Sequence, residues 1–153
     1  MKVKIIGQSF KWGDLIHILP RLVVAIILAQ TLPFKFSGSE ESVWIFTQLN
    51  MEPWGRYMIA TIELFATILL LTNYYVFGAI ISLSIISAAN FFHFFRLGFI
   101  VNDDGGTLFI LSVVVILCSL WLVLHWNMQR LKSRISAFDF EPNEDDFLGE
   151  DLD

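Results

Sequence analysis

The sequence predicts an all-α integral membrane protein, a four-helix bundle, on three observations. Of 153 residues, 56% are hydrophobic and only 16% charged, with mean hydropathy +0.65; soluble domains carry about 25% charged residues. Four stretches are apolar for about 20 residues, the length at which a rise of about 1.5 Å per residue covers roughly 30 Å of hydrocarbon. The run from Leu64 to Phe95 contains no Asp, Glu, Lys or Arg and is too long for one untilted span.

The first span is expected over residues 15–36 (LIHILPRLVVAIILAQTLPFKF), with Pro20 in its opening turn and Pro33 bending or ending its far end. The long uncharged run divides at Thr72-Asn73-Tyr74-Tyr75, where an Asn and two Tyr suit a turn at the headgroups. That division makes the second span 55–71 and the third 75–95. The fourth, 107–126, follows the polar turn Asn102-Asp103-Asp104-Gly105-Gly106 and closes on an aromatic belt. A cleaved signal peptide is not expected, because the first apolar run exceeds a usual h-region and Pro33, Phe34 and Lys35 follow it instead of an A-x-A-like site.

Lys and Arg near the span ends set the expected orientation. Lys2, Lys4, Lys11, Arg130, Lys132 and Arg134, with Arg21 if it snorkels, gather on one side, against Lys35, Arg56 and Arg96 on the other. Both termini are therefore expected in the cytoplasm, in a multi-pass membrane protein. The membrane domain is expected over residues 1–134 and a disordered acidic tail over 135–153. Eight of the fifteen acidic residues lie between Asp139 and Asp153 with no basic one, and such a segment buries too little apolar surface to order itself. Phe138, Phe140, Phe147 and Leu148 also give it the pattern of a segment that folds on a protein partner. Nucleic acid is excluded as a partner by the net charge of −5 and the lack of a basic face or recognition motif. Cys118 is the only cysteine, so no disulfide or cysteine metal site can form within the chain.

An ionisable group inside a span costs about 2.5–3.5 kcal/mol on insertion scales, so it faces the bundle interior and takes a partner. Glu63 stands roughly 12 Å into the second span by helix rise. Arg56 lies two turns before it on the same face, Thr67 extends the stripe, and Ala60 leaves room for a neighbouring helix. Asn90 and His93 are one turn apart on the third span, and Asn90 falls at about the depth of Glu63. Gln30 and Lys35 occupy the same half of the first span, with Arg96, Asp103 and Asp104 near the outer surface. All nine residues fall in one half of the bilayer, which predicts an outward-facing polar pocket. Its core is Glu63, His93, Lys35, Asn90 and Arg56, and Gln30, Arg96, Asp103 and Asp104 surround it. The competing reading is a buried network that only sets helix register. Neither a calcium loop at Asp103-Asp104-Gly105-Gly106 nor a catalytic metal site is expected, since each has too few ligands at the required spacing.

The basic residue closing the first span (AQTLPFKF), the embedded acid of the second (ATIELFATILLL), the NFFHF ending of the third and the acidic-glycine turn before the fourth resemble the DoxX family of small membrane proteins over about Leu15 to Trp126. Members often carry a glycine where this chain has Thr31-Leu32-Pro33, and small residues where it has Phe65-Ala66-Thr67. The resemblance implies a four-helix bundle in the plasma membrane. It also implies an association with membrane oxidoreductase complexes that handle sulfur and oxidative stress, some relatives being subunits of thiosulfate:quinone oxidoreductase. The family's basic position falls on Lys35, its acid on Glu63 and its third-helix polar position on His93. The expected function is therefore a redox-associated membrane subunit holding a membrane quinone or similar small amphipathic molecule. The alternatives are a non-catalytic accessory or assembly protein docking through the tail, and a small transporter or proton path with Glu63 as coupling acid. The chain has no flavin, nicotinamide or haem signature, and one thiol cannot cycle alone.

Overall fold

The computed structural model describes residues 3–5, 8–10, 12–98 and 105–138. Within them the chain is helical apart from one small hairpin. Strands β1 (Val3–Ile5) and β2 (Gln8–Phe10) pair antiparallel, with Val3 opposite Phe10. An all-α reading missed this ladder, although β-branched and aromatic residues at Val3, Ile5 and Phe10 suit a pleated strand. Helices α1 (Trp12–Ser37), α2 (Glu40–Gln48), α3 (Trp54–Leu71) and α4 (Tyr75–Phe92) follow, then a π-helical turn His93–Leu97 and helix α5 (Thr107–Phe138). The described residues fall into two compact units, divided between Val123 and Leu124.

Among the described residues, four helices are long and apolar enough to cross a membrane, over Ile16–Ser37, Trp54–Leu71, Tyr75–Arg96 and Thr107–Ser136. Large apolar side chains such as Leu19, Ile26, Phe65, Phe77, Leu117 and Leu124 are exposed, as a lipid-facing surface requires. The turn between α3 and α4 falls where the Asn-Tyr-Tyr segment places it. Helix α5 begins at Thr107 as expected and α3 within one residue of its expected start, whereas other ends differ. Helix α1 begins at Trp12 and continues through Pro33 to Ser37, because a missing backbone N–H costs one bond that the rest of a long helix outweighs. Helix α5 runs to Phe138, so residues 135–138, expected in a disordered tail, are helical. The remaining tail, 139–153, lies outside the described residues.

The segment between the first two spans, for which no element was expected, contains α2. Each end of α2 is specified locally. Gly38, at φ +71°, ends α1 in a left-handed conformation and lets the Ser39 N–H donate to the Phe34 carbonyl (3.0 Å). The Ser39 side chain then accepts from the Ser42 N–H at 3.4 Å, and Glu40 and Glu41 occupy the first turn, where carboxylates suit the helix dipole. At the far end Asn50, at φ 56°, takes the left-handed position and Met51 N–H reaches back to Phe46 O (2.9 Å).

Helix α3 makes the most extensive backbone approaches in the first unit, to α1 and to α4. Small residues permit them: a Cβ on Gly78 would stand 2.8 Å from both the Ala66 carbonyl and the Leu70 amide nitrogen. Around this contact Val24, Leu28, Ala66, Leu70, Ala79, Val115 and Leu122 form the buried core. Helix α5 enters that core through the side chains of Val115 and Leu122, and Ser112 Oγ donates to Asn90 Oδ1 on α4 at 2.5 Å. Within the second unit the Arg130 guanidinium lies 4.4 Å above the Trp126 ring.

Candidate functional site

Glu63 is 2% exposed in the middle of α3. A buried carboxylate in an apolar helix requires a partner, and Lys35 Nζ supplies it from the last turn of α1 at 2.5 Å from Oε2. Thr31, one turn before Lys35, places its hydroxyl between them. It accepts from Lys35 Nζ (3.2 Å), and its single proton has the Leu28 carbonyl (2.9 Å) and Glu63 Oε2 (3.3 Å) within reach. The spacing of four residues between Thr31 and Lys35 puts both on one face of α1. Both hydrogen bonds to the Glu63 carboxylate fall on Oε2, so Oε1 accepts none among the described residues.

Arg56 does not join this pair. It is 4% exposed and forms a bidentate bridge to Glu52, with Nε 3.0 Å from both carboxylate oxygens and Nη2 2.7 Å from Oε1. Its Nη1 donates to the Lys35 carbonyl, closing the end of α1, and the guanidinium lies 4.5 Å over the Tyr57 ring. The shared face of Arg56 and Glu63 on α3 was sound helical geometry, but seven residues separate them by two turns. Glu52 lies one turn from Arg56 and wins the contact.

His93 is buried at the first position of the π-helical turn. Its Nδ1 lies 2.9 Å from the Gly98 carbonyl; a carbonyl only accepts, so Nδ1 carries the proton and a neutral ring leaves Nε2 as an acceptor. Phe109 of α5 meets the ring edge-on with centroids 6.1 Å apart. A regular α-helix to residue 95 was expected here. The turn widens instead and ends at Gly98, whose φ of +76° allows its N–H to return to the His93 carbonyl at 2.8 Å.

A cavity of about 420 Å³ opens among α1 to α5 at this end of the first unit, within the size range of small-molecule sites. Lys35, Glu63, His93, Thr31, Gln30, Ser42, Glu41 and Ser112 supply its polar lining, and its remaining walls are almost entirely apolar, including Ile27, Phe34, Phe46, Ile86, Phe92 and Leu111. Four of the nine sequence candidates, Gln30, Lys35, Glu63 and His93, therefore share one cavity. Asn90 stands behind it, holding the cavity-lining Ser112. Arg56 caps α1, and Arg96 is exposed with Nη1 3.4 Å from the Gln48 carbonyl. Asp103 and Asp104 lie outside the described residues. Thr31, Ser42 and Ser112 were missed, because a lone uncharged hydroxyl in a helix gives no charge signal. Ser42 lies on α2, and its buried Oγ has no hydrogen-bond partner among the described residues. No three His, Cys, Asp or Glu side chains there gather closely enough to hold a metal.

Compared with protein-family models, curated proteins and solved structures, the chain has no match.

Proposed function

We propose that this chain is a DoxX-like subunit of the plasma membrane, associated with membrane redox chemistry, whose cavity holds a quinone-like or similar small amphipathic molecule. One observation carries the reading. The buried Lys35–Glu63 pair stands on the wall of an otherwise apolar cavity of about 420 Å³. A pair needed only for helix register works best sealed by packed side chains, since vacant space beside it forfeits dispersion contacts. A pair beside vacant space instead offers a polar head its hydrogen bonds and an apolar tail its walls. His93 adds a second polar group to the same wall. In this reading the termini face the cytoplasm, the cavity lies in the outer half of the bilayer, and the acidic tail is the contact for a protein partner.

The test combines binding with complementation. The full chain purified in mild detergent should take up decylubiquinone saturably, and Ala89→Phe, which fills the cavity wall, should abolish uptake while the protein stays folded. Glu63→Gln and His93→Ala should reach the membrane yet fail to restore a redox or stress phenotype of a deletion strain. Full complementation by both, with no quinone uptake by the wild type, would replace this reading with the accessory-protein one. A cysteine at Ser39 should react with an impermeant reagent added outside the cell; protection there would reverse the sidedness.

A further inference from the structure

The unused hydrogen-bonding capacity of the cavity is unevenly divided between donors and acceptors. Glu63 Oε1 accepts no bond among the described residues, because Lys35 and Thr31 both address Oε2. His93 commits Nδ1 to the Gly98 carbonyl, leaving Nε2 as a lone-pair acceptor. Lys35 donates to Thr31 and Glu63, so one of its three N–H groups remains. Among Glu63, His93 and Lys35, two acceptors and one donor thus remain at the wall, beside the rotatable hydroxyl of Ser42; Gln30, Ser39, Glu41 and Ser112 complete its polar lining.

The charges restrict the occupant further. Among the described residues Lys35 is the only Lys or Arg on the cavity wall, and it is already neutralised by Glu63. A fatty-acid carboxylate or lipid phosphate that took Lys35 would strand a carboxylate that is 2% exposed, which the surroundings resist strongly. Glu41, also on the wall, adds repulsion. Arg56 offers no substitute, being held by Glu52 and the Lys35 carbonyl.

We infer that the cavity selects an uncharged amphiphile whose head is a hydroxyl, a phenol- or alcohol-type group that donates to Glu63 Oε1 or His93 Nε2 and accepts from Lys35. This rests on the reading of the cavity as a ligand site and adds to it the chemistry of the head. For a quinone-like occupant it means that the reduced, hydroxyl-bearing form is held in preference to the carbonyl form, which only accepts. A site built around such a hydroxyl discriminates strongly against an analogue lacking it, since its own acceptors are then left unpaired.

Three tritiated probes of matched length separate the possibilities: 4-octylphenol, which donates and accepts; 4-octylanisole, which only accepts; and nonanoate, which is anionic. Equilibrium binding to the detergent-solubilised full chain is read against Ala89→Phe as background. The phenol should bind at least about tenfold more tightly than the anisole, with nonanoate weakest. Glu63→Gln should shrink the phenol preference, and His93→Phe, which keeps the aromatic packing, should do so where the first variant does not fold. Equal saturable binding of phenol and anisole, or tightest binding of nonanoate, overturns the hydroxyl assignment and leaves the ligand cavity standing. Absence of saturable binding by all three overturns both.

Discussion

The two ends of the α1–α3 helix pair are built alike and filled differently. At one end Arg56 of α3 donates to the Lys35 carbonyl and closes α1. At the other, Arg21 of α1 donates to the Leu70 (3.0 Å) and Thr72 (2.7 Å) carbonyls and closes α3, with its guanidinium 4.5 Å over the Tyr75 ring. Each antiparallel helix thus caps the other's C-terminus with an arginine on an aromatic ring, a placement the helix dipole favours. Between the caps the ends diverge. Toward Arg21, the small residues Gly78, Ala66 and Ala79 bring the α3 and α4 backbones into direct contact. Toward Arg56, α2 and the π-helical turn hold the walls apart around a buried ion pair. Helix closure therefore does not require the Lys35–Glu63 pair, and that pair's charge is not explained by capping.

The largest expected effect lies at the packed end. Gly78→Val places a Cβ within 2.8 Å of α3 backbone, and backbone cannot give way as a side-chain tip can. A loss of about 3 kcal/mol or more, or failure to fold, is expected from overpacking of this kind, read as the melting temperature in detergent. A near-normal melting curve would show that the two helices can part, and would erase the contrast between the ends.

Next comes the ion pair. Glu63→Ala leaves Lys35 unpaired, and breaking a buried pair from one side costs about 3–5 kcal/mol. Lys35→Met combined with Glu63→Leu should cost clearly less than the sum of the singles, because the remaining charge disappears with its partner. Strict additivity in this double-mutant cycle would break the pairing, and with it the distinction between the charged end and the packed one.

The caps should show the smallest effects, and they should be unequal. Arg56→Met strands Glu52 as well as the Lys35 carbonyl, whereas Arg21→Met releases only carbonyls and a ring contact near exposed Thr72. The first should lower the melting temperature more than the second, and the excess should vanish when Glu52→Gln is added to Arg56→Met. Equal losses would mean that the Glu52 bridge contributes nothing beyond capping.

Much of the fold was legible because hydrophobic run length and charge position act locally. The Thr72–Tyr74 turn and the four spans follow from where charges and interfacial aromatics interrupt apolar sequence. Lys35, Glu63 and His93 stood out because an ionisable residue in such a run is costly wherever it lands. The pairing of Lys35 with Glu63, 28 residues away, was not distinguishable from pairing with Arg56, since both cations lay at similar depth. The structure separates them through Glu52, a loop residue one turn from Arg56 whose interception no span analysis weighs. Helix α2 was missed for a related reason. Its nine residues (EESVWIFTQ) are too few for a membrane signal, and its caps at Ser39 and Asn50 read equally well as loop residues.

By itself, then, the amino-acid sequence determined which helices are long and apolar enough to cross a membrane and the identity of the costly buried groups, because each depends on the transfer of single residues from water to hydrocarbon. Only the tertiary structure decided which cation meets Glu63, that Arg21 and Arg56 cap each other's helices, and that vacant space lies beside the ion pair. Those outcomes depend on competition among groups distant in the chain. A cavity, moreover, is a property of how five helices fail to close, which no single one of them encodes.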